Sequence, residues 1–274
     1  MGCNMPKTKK MPLAVTNPRE EIVAQGNDLI RHARFKLTAV EQNIIYFAMS
    51  KIKPTSKDFE RLTFSVEEFC VVCGIKIEGG TEYRRIKRAV KAVSDKSAWA
   101  TYADGTEELI RWFDTVKIQP NTGEISILFS QSMKPYLIGL IERAKAGGEG
   151  YTQTMLLTHL ALRSRYSKRI YEVLKSYLYA NGSYEKIYKQ TYLEYDLIEF
   201  KLLVNAETYD RYPDLRRKVL AVAESEINTV TDIHMSFTPI THGRKITGVA
   251  FTFQHKKDID RLAAHQAAID ALHT

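Results

Sequence analysis

Three groups of residues in this chain have types and spacings that could do chemistry. Cys70-Val-Val-Cys73 has the spacing of a redox dithiol or of half a zinc site. Residues 74–81 (GIKIEGGT) have the glycine spacing of a phosphate-binding loop. Seven histidines and fifteen tyrosines could supply metal ligands, or a tyrosine nucleophile that attacks a phosphodiester. Each pattern has to be weighed against a purely structural role.

The structural role is favoured in every case. Gly80 stands where a phosphate-binding loop needs its lysine, and no hydrophobic strand leads into the loop. The two cysteines lie in a short apolar stretch, where core packing is the default. The histidines are scattered without a metal-binding pair, and Tyr83, Tyr171 and Tyr192 fall at positions expected on apolar faces. We therefore predict a protein without enzymatic activity, metal or cofactor.

A basic helix is the more informative feature. Residues 212–230 (YPDLRRKVLAVAESEINTV) place apolar residues at helical spacing. Arg216, Arg217 and Lys218 crowd the N-terminal end, where the helix dipole disfavours cations by about 0.3–1 kcal/mol each. This arrangement indicates an external anion at the helix start, although a solvated charged face is the alternative. The predicted buried stripe is Leu215, Val219, Val222, Ala223, Ile227 and Val230.

The chain contains this pattern twice. Ile86, Val90 and Val93 repeat the spacing of the first three residues of the stripe. Upstream, Phe64 and Phe69 align with Tyr192 and Leu197, at the end of a strand and in the helix after it. Each half therefore follows the order helix, short strand, helix, basic helix and hairpin. The cations in the matching place of the first half are Arg84, Arg85, Lys87 and Arg88.

This order of elements is that of the winged-helix form of the helix-turn-helix, whose second helix enters the major groove of DNA. The second hairpin would carry Arg244 and Lys245 at its tip, as a wing. A break at Ser164–Ser167 could cap a helix, or could place Arg165 and Lys168 against phosphate. We predict an α+β protein with two tandem winged-helix domains.

Composition agrees with two domains that meet a polyanion. The 274 residues include 44% hydrophobic and 26% charged residues, with a net charge of +8. We expect a flexible basic arm over residues 1–20, a first domain over 21–146 and a second over 147–274. The absence of a long apolar run predicts no membrane segment and a cytoplasmic location.

Local signals predict the individual elements. Thr38 with Glu41, and Ser65 with Glu68, have the spacing of capping boxes at helix starts. The predicted helices and strands, in chain order, are helix 27–35, strand 59–64, strands 109–118 and 124–129, helix 135–144, helix 151–162, helix 168–180 with a stop at Asn181-Gly182, strand 187–192, helix 194–204, strands 233–237 and 246–253, and helix 256–272.

Several longer motifs resemble those of the iteron-binding replication initiators of theta-replicating bacterial plasmids. The resemblance covers about residues 27–253. The motifs that carry it are Asn27-Asp-Leu-Ile-Arg-x-Ala33 with Lys36-Leu37 and Glu41, Gly123-x-Ile125-x-Ile127-x-Phe129, Ser164-x-Tyr166-Ser167-x-Arg169-x-Tyr171-Glu172-x-Leu174-Lys175, Arg217-x-Val219-Leu220-x5-Glu226-Ile227-Asn228-x3-Asp232, and Gly243-Arg244-Lys245.

The resemblance implies a monomer that binds repeated origin sites (iterons) in double-stranded DNA, opens the origin and recruits the host initiator and replicative helicase. It also implies a homodimer, in equilibrium with the monomer, that represses its own promoter through an interface in the first domain. The hairpin 109–129 has Ile110 and Trp112 on one face and Phe113 on the other, so we expect it to expose apolar surface for this dimer. A plain transcriptional repressor and a rolling-circle nickase are the alternative functions.

Overall fold

The computed structural model describes residues 17–53, 56–77, 80–102, 104–120, 122–178 and 190–273. The predicted helix stop at 181–182, residues 187–189 of the predicted strand, and the first sixteen residues of the predicted arm lie outside these ranges.

The first half forms a winged-helix unit preceded by a short strand and helix. Its basic helix, α4, follows α3 after a turn, and strands β3, β7 and β6 form one sheet in that order. The elements are β1 (Ile22–Gly26), α1 (Asn27–His32), β2 (Ala33–Arg34), α2 (Ala39–Ser50), β3 (Leu62–Ser65), α3 (Val66–Cys73), α4 (Gly80–Ser94), β4 (Ser97–Thr101), β5 (Glu107–Arg111), β6 (Phe113–Ile118), β7 (Glu124–Phe129), α5 (Lys134–Leu137) and α6 (Leu140–Lys145).

The second half repeats the unit. Its sheet has the order β10, β11, β9, and the long β10–β11 hairpin is its wing. The elements are β8 (Tyr151–Met155), α7 (Leu156–Ala161), α8 (Arg165–Leu178), β9 (Thr191–Asp196), α9 (Leu197–Val204), α10 (Tyr212–Leu215), a π-helical turn (Arg216–Leu220), α11 (Ala221–Val230), β10 (Ile233–His242), β11 (Lys245–His255) and α12 (Asp258–Ala271).

Matching caps define the repeat. Ser65 accepts a hydrogen bond from the Glu68 backbone at the start of α3, and Asp196 caps the start of α9 in the same way. Each helix ends at a residue in the left-handed region, Gly74 (φ 67°) for α3 and Asn205 (φ 54°) for α9. The spacing between the starting cap and the ending cap is therefore the same in both halves.

This register corrects the alignment of the aromatic pairs. The Phe64 and Phe69 rings lie 6.3 Å apart between centroids, and the equivalent pair is Tyr195 and Phe200, also 6.3 Å apart. Tyr192, which the sequence repeat aligned with Phe64, is instead 59% exposed. Its side chain lies on the outer side of β9 because side chains of a strand alternate between faces.

The predicted strand 109–118 is two strands that belong to different sheets. The chain breaks at Trp112, so β5 pairs with β4 and β6 pairs with β7 as the first wing. Ile110, Trp112 and Phe113 are at most 5% exposed and belong to the first hydrophobic core. The expectation that they form an exposed apolar surface is therefore wrong. Because the chain changes direction at Trp112, the apolar side chains on both sides of the break reach the core.

The two halves are joined by shared structure. Strand β1 pairs antiparallel with β8, so residues 151–155 form a strand where a helix was predicted. Leu156 and Leu160 of α7 belong to the core of the first unit, whereas Ile30 of α1 belongs to the core of the second. Pairing partners so distant in sequence leave no local signal, which is why the apolar run 151–162 resembled one helix.

Smaller differences concern the ends of elements. The predicted helix 135–144 is divided into α5 and α6 at Gly139, whose φ is 66°. Residues Pro18–Glu20 of the predicted flexible arm form a 3-10 turn. The capping box of Thr38 and Glu41 on α2 and the C-terminal helix α12 are present as predicted.

Candidate nucleic-acid interface

Helix α4 is the candidate for entering the major groove in the first unit, and we call it the first reading helix. It buries Ile86, Val90 and Val93 completely, and Tyr83 and Ala89 pack at the edge of the same core. Arg84, Arg85 and Arg88 are exposed and Lys87 is half-buried. The helix and strand β6 of the wing enclose an open groove of about 850 Å³. The groove is lined by Arg84, Lys87, Arg88, Lys91, Ser94, Asp95, Val116, Ile118 and Pro120.

Two of the cations contact side chains one turn earlier on the same helix. The Arg85 guanidinium pairs with Glu82 at 3.0 Å, one turn earlier on the same helix. The Lys87 ammonium lies 4.6 Å from the centre of the Tyr83 ring, a cation–π contact. Because ion pairs and cation–π contacts at exposed sites are each worth about 1 kcal/mol or less, both cations can exchange these partners for a phosphate.

The second reading helix (residues 212–230) is one continuous run of α10, the π-helical turn and α11. Leu215, Val219, Ala223 and Ile227 are fully buried, as predicted. Val222 is only partly buried, and Leu220 is fully buried in its place. The π-helical turn explains this difference, because it holds one residue more than an α turn and rotates the helix face that follows it.

The basic cluster of the second half lies on this π-helical turn. Arg216, Arg217 and Lys218 are all exposed. Asp214 pairs with Arg217 at 3.2 Å, and the Lys218 ammonium lies 5.6 Å from the Tyr209 ring centre. π-Helical turns inside α-helices occur frequently at functional sites, and sequence reasoning missed this one. In the sequence, the π-helical turn is indicated only by the adjacent apolar pair Val219-Leu220, which departs from the regular helical spacing.

The wing of the second unit presents its cations at the hairpin tip. Strands β10 and β11 are joined at His242–Lys245, and Gly243 adopts φ 60° in the turn. His242, Arg244 and Lys245 are exposed. The structure thus places each predicted cation of the second reading helix and wing at the surface.

The break before α8 is a cap. Ser164 accepts hydrogen bonds from the backbone of Tyr166 and Ser167. Arg165 is half-buried, and its guanidinium donates to the Tyr166 hydroxyl at 2.7 Å and to the Asn205 carbonyl at 3.5 Å. It therefore links the start of α8 to the residue that follows α9, and it stays partly exposed.

Lys168 does not belong to the interface. Its side chain is fully buried, and its ammonium group donates to the carbonyl of His159. Burial lowers the pKa of Lys168 to about 7. The predicted phosphate contact is therefore wrong, because the apolar face of α8 packs between the two units instead of facing solvent.

Helix α8 carries a buried polar seam between the two units, which the sequence did not predict. Arg169 donates to the Ala33 carbonyl at 2.7 Å in the first unit and to the Leu203 carbonyl at 3.3 Å in the second. Glu172 accepts from Gln25, and burial raises the pKa of this carboxyl. Charged groups such as these are costly to bury unless they are paired. The two units can therefore pack stably only in the arrangement in which Arg169 and Glu172 reach their partners.

Further buried polar contacts lie on either side of this seam. His159 stacks on Tyr46 with ring centroids 3.9 Å apart, and burial holds its pKa well below the ordinary range. At the other end the Lys175 ammonium pairs with Asp232, which also accepts from the Tyr171 hydroxyl at 2.9 Å. Many residues that carry the family resemblance lie in this seam, where they have a structural role.

The residues with catalytic potential are buried or dispersed. Cys70 and Cys73 are buried free thiols, and burial raises the pKa of both. Within the described ranges, no three side chains of the types His, Cys, Asp and Glu gather as metal ligands would. In the same ranges, every helix is too short or too polar to cross a lipid bilayer.

Comparison with known families decides the identity of this fold. Residues 22–175 match the family described as "Initiator Replication protein, WH1", and residues 196–253 match "Initiator Rep protein, WH2". Together the matches cover most of the chain. The chain belongs to the replication initiator family. The predicted family and the predicted pair of winged-helix domains are both confirmed.

Individual proteins similar to this initiator agree with the family. It is 25% identical over 260 residues to the PI protein of Escherichia coli, covering 84% of this chain and 81% of that protein. It is similar in fold to the crystal structure of the Pi initiator protein in complex with iteron DNA, with a TM-score of 0.66 and 22% identity. That match covers 88% of the initiator and 99% of the solved chain.

Proposed function

We propose that this initiator starts plasmid replication by binding iterons in double-stranded DNA with both winged-helix units. The observation that carries the proposal is the duplicated reading helix, with exposed cations on α4 and on the π-helical turn of the second unit. The similar solved protein was crystallised with iteron DNA, which supports the choice of ligand.

The roles of the cations follow from their positions. Arg216 and Arg217 would approach base edges, since arginine reads guanine through two hydrogen bonds. Lys218, Arg244 and Lys245 would contact phosphates on either side of the same groove. Arg165, half-buried at the start of α8, would contact a phosphate, as predicted. In the first unit, Arg84, Arg85, Lys87 and Arg88 would serve the adjacent groove.

A footprint tests this proposal. One chain, bound to DNA that flanks its own gene, should protect about two helical turns, because each unit covers about one turn. Permanganate reactivity of an adjacent AT-rich segment, measured at the same protein concentration, should rise if the chain opens the origin. Protection of a single turn would show that only one unit binds, and binding without opening would favour a plain repressor.

The proposal also includes a non-enzymatic mechanism in the cytoplasm, with the host initiator and the replicative helicase as partners. The chain would open the origin only by binding and deforming the DNA, without breaking a covalent bond. A nicking assay on supercoiled origin DNA, with magnesium or manganese, should give intact circles. Nicked circles that disappear on substitution of a single tyrosine would favour the rolling-circle alternative.

Dimerisation through the first unit is the second part of the proposal, and it would repress the promoter of the initiator gene. Trp99 and Leu109 face each other across strands β4 and β5, and their side chains are 52% and 41% exposed. An exposed apolar pair on a sheet favours association with a second copy. Light scattering of W99S/L109S should show a monomer at concentrations where the wild type dimerises, with unchanged binding to one iteron.

A further inference from the structure

The two ends of the described chain meet at one turn of the first unit. This turn, at Gly74, ends α3, the helix that precedes the first reading helix, α4. From the N-terminal side, Arg19 donates to the carbonyls of Val71 and Val72 at 2.8 and 2.9 Å, at the end of α3. From the C-terminal side, Leu272 lies against Gly74. Both contacts involve residues outside the two stretches that match the initiator family, 22–175 and 196–253.

Helix α12 connects the second unit to this turn. It packs on α11, the C-terminal part of the second reading helix, and on α7. Its small residues Ala264 and Ala268 are buried in these contacts. At its end, the Ala271 carbonyl accepts from Arg163 at 3.2 Å, and Leu272 packs at the edge of both hydrophobic cores. A continuous path of packed elements therefore leads from one reading helix to the other.

Gly74 is the point where this path enters the first unit. Its φ of 67° lies in the left-handed region, where a side chain is disfavoured. A Cβ atom at this position would lie 3.1 Å from the Cα and carbonyl carbon of Leu272, and nearer still to its carbonyl oxygen. Because these are backbone atoms, the clash would have to be relieved by a backbone shift that separates Leu272, the residue that follows α12, from the turn.

We infer that α12, seated on Gly74, fixes the angle and distance between the two reading helices. Gly74 and Leu272 are then positioning residues for DNA binding. They restrict the initiator to sites in which the two half-sites have one particular spacing. This inference rests on the proposed function, because it requires that both units bind the same duplex.

The test compares binding to two duplexes. One contains the natural iteron, and the other contains the same half-sites separated by five additional base pairs, which rotates them by about half a turn. Two rigidly linked readers gain affinity only if both engage at once. The wild-type chain should therefore bind the natural spacing at least about 10-fold more tightly than the altered spacing.

The variant is Gly74→Ala, with Gly139→Ala as its matched control. Gly139 has nearly the same φ, 66°, but no atom lies within 4 Å of the position of its Cβ. G139A should keep the wild-type preference. G74A should bind the natural site about 10-fold more weakly and discriminate less than about 3-fold between the spacings, since α12 no longer holds the angle between the two reading helices, although the β1–β8 pairing still joins the units.

A chain that ends at Asp270 provides a second variant, because it removes the contact without altering Gly74. It should show the same loss of discrimination, while footprints on isolated half-sites stay unchanged in both variants. If both variants keep the wild-type ratio between the two spacings, the inference is wrong. A wild-type chain that protects one half-site only would instead refute the proposed function, and this inference with it.

Discussion

Asp214 accepts a hydrogen bond from the Arg217 guanidinium at 3.2 Å, across one turn at the start of the second reading helix. This exposed pair offsets part of the unfavourable dipole interaction of the arginine, and leaves its other donors available. Loss of Arg216 and Arg217 should therefore affect DNA binding much more than folding. R216A/R217A should lose about 1–3 kcal/mol of specific binding for each base-reading arginine.

The thermal stability of R216A/R217A should stay within about 1 kcal/mol of the wild type, or rise slightly, because two cations leave the positive end of a helix. Melting temperature and a binding titration at fixed salt measure the two effects. Arg261→Ala is the control, since Arg261 has a similar pair with Asp258 on α12. A structural role for the arginines would give lower stability, with DNA affinity reduced only as far as unfolding explains.

Substitution of Lys87 and Arg88 in the first unit should weaken binding less. Both residues line the groove between α4 and the wing, and Lys87 can leave the Tyr83 ring at small cost. If they contact phosphates, K87A/R88A should lose affinity about equally for iteron and unrelated DNA. A loss confined to the iteron would instead show that this helix reads bases.

Salt should weaken binding steeply. Neutralisation of a phosphate by a cation releases counterions and contributes about −0.9 to the slope of log K against log salt. With about seven to ten contacts from two units, the slope should be near −6 to −9. Titrations between low and physiological salt measure it. A slope near −2 would show that only about two cations contact phosphates, and therefore that only one unit binds the DNA.

Lys168 should affect stability without affecting DNA affinity. Its pKa is lowered from 10.5 to about 7 in the folded chain, so between these values the unfolded chain binds one more proton than the folded one. The contribution of Lys168 to stability therefore rises with pH across this window, by up to about 1.4 kcal/mol per pH unit. Urea titrations of the wild type and Lys168→Met at pH 7 and pH 9 measure the difference.

The variant Lys168→Met should gain stability relative to the wild type at pH 7, and part of that gain should disappear at pH 9. Lys218→Met is the control, since Lys218 is exposed on the second reading helix and should change DNA affinity instead. A Lys168→Met chain that folds normally but binds iterons weakly would show that Lys168 contributes to the DNA interface.

Asp232 should be important for folding although it is not among the predicted DNA contacts. It faces the buried Lys175 ammonium and the Tyr171 hydroxyl. Asp232→Asn removes the charge that compensates Lys175, which should cost about 3–5 kcal/mol of unfolding free energy. Denaturant unfolding measures this loss. Glu224→Gln, on the more accessible face of the second reading helix, should stay close to the wild type.

The sequence determined the features that depend on neighbouring residues. The capping box of Thr38 and Glu41, the apolar spacing of α4 and the exposed cations on both reading helices are set within one or two helical turns. For this reason the order of elements, and with it the winged-helix fold, could be predicted from local patterns.

Tertiary structure decided the features that depend on distant partners. The β1–β8 pairing, the burial of Lys168 and the contact between Gly74 and Leu272 each depend on packing that no local pattern encodes. The π-helical turn belongs with them, because its extra residue is accommodated only when Val219 and Leu220 both reach the core. A lysine beside a helix cap has the same local pattern whether it faces phosphate or a buried carbonyl, and only the packing of α8 between the units distinguishes the two.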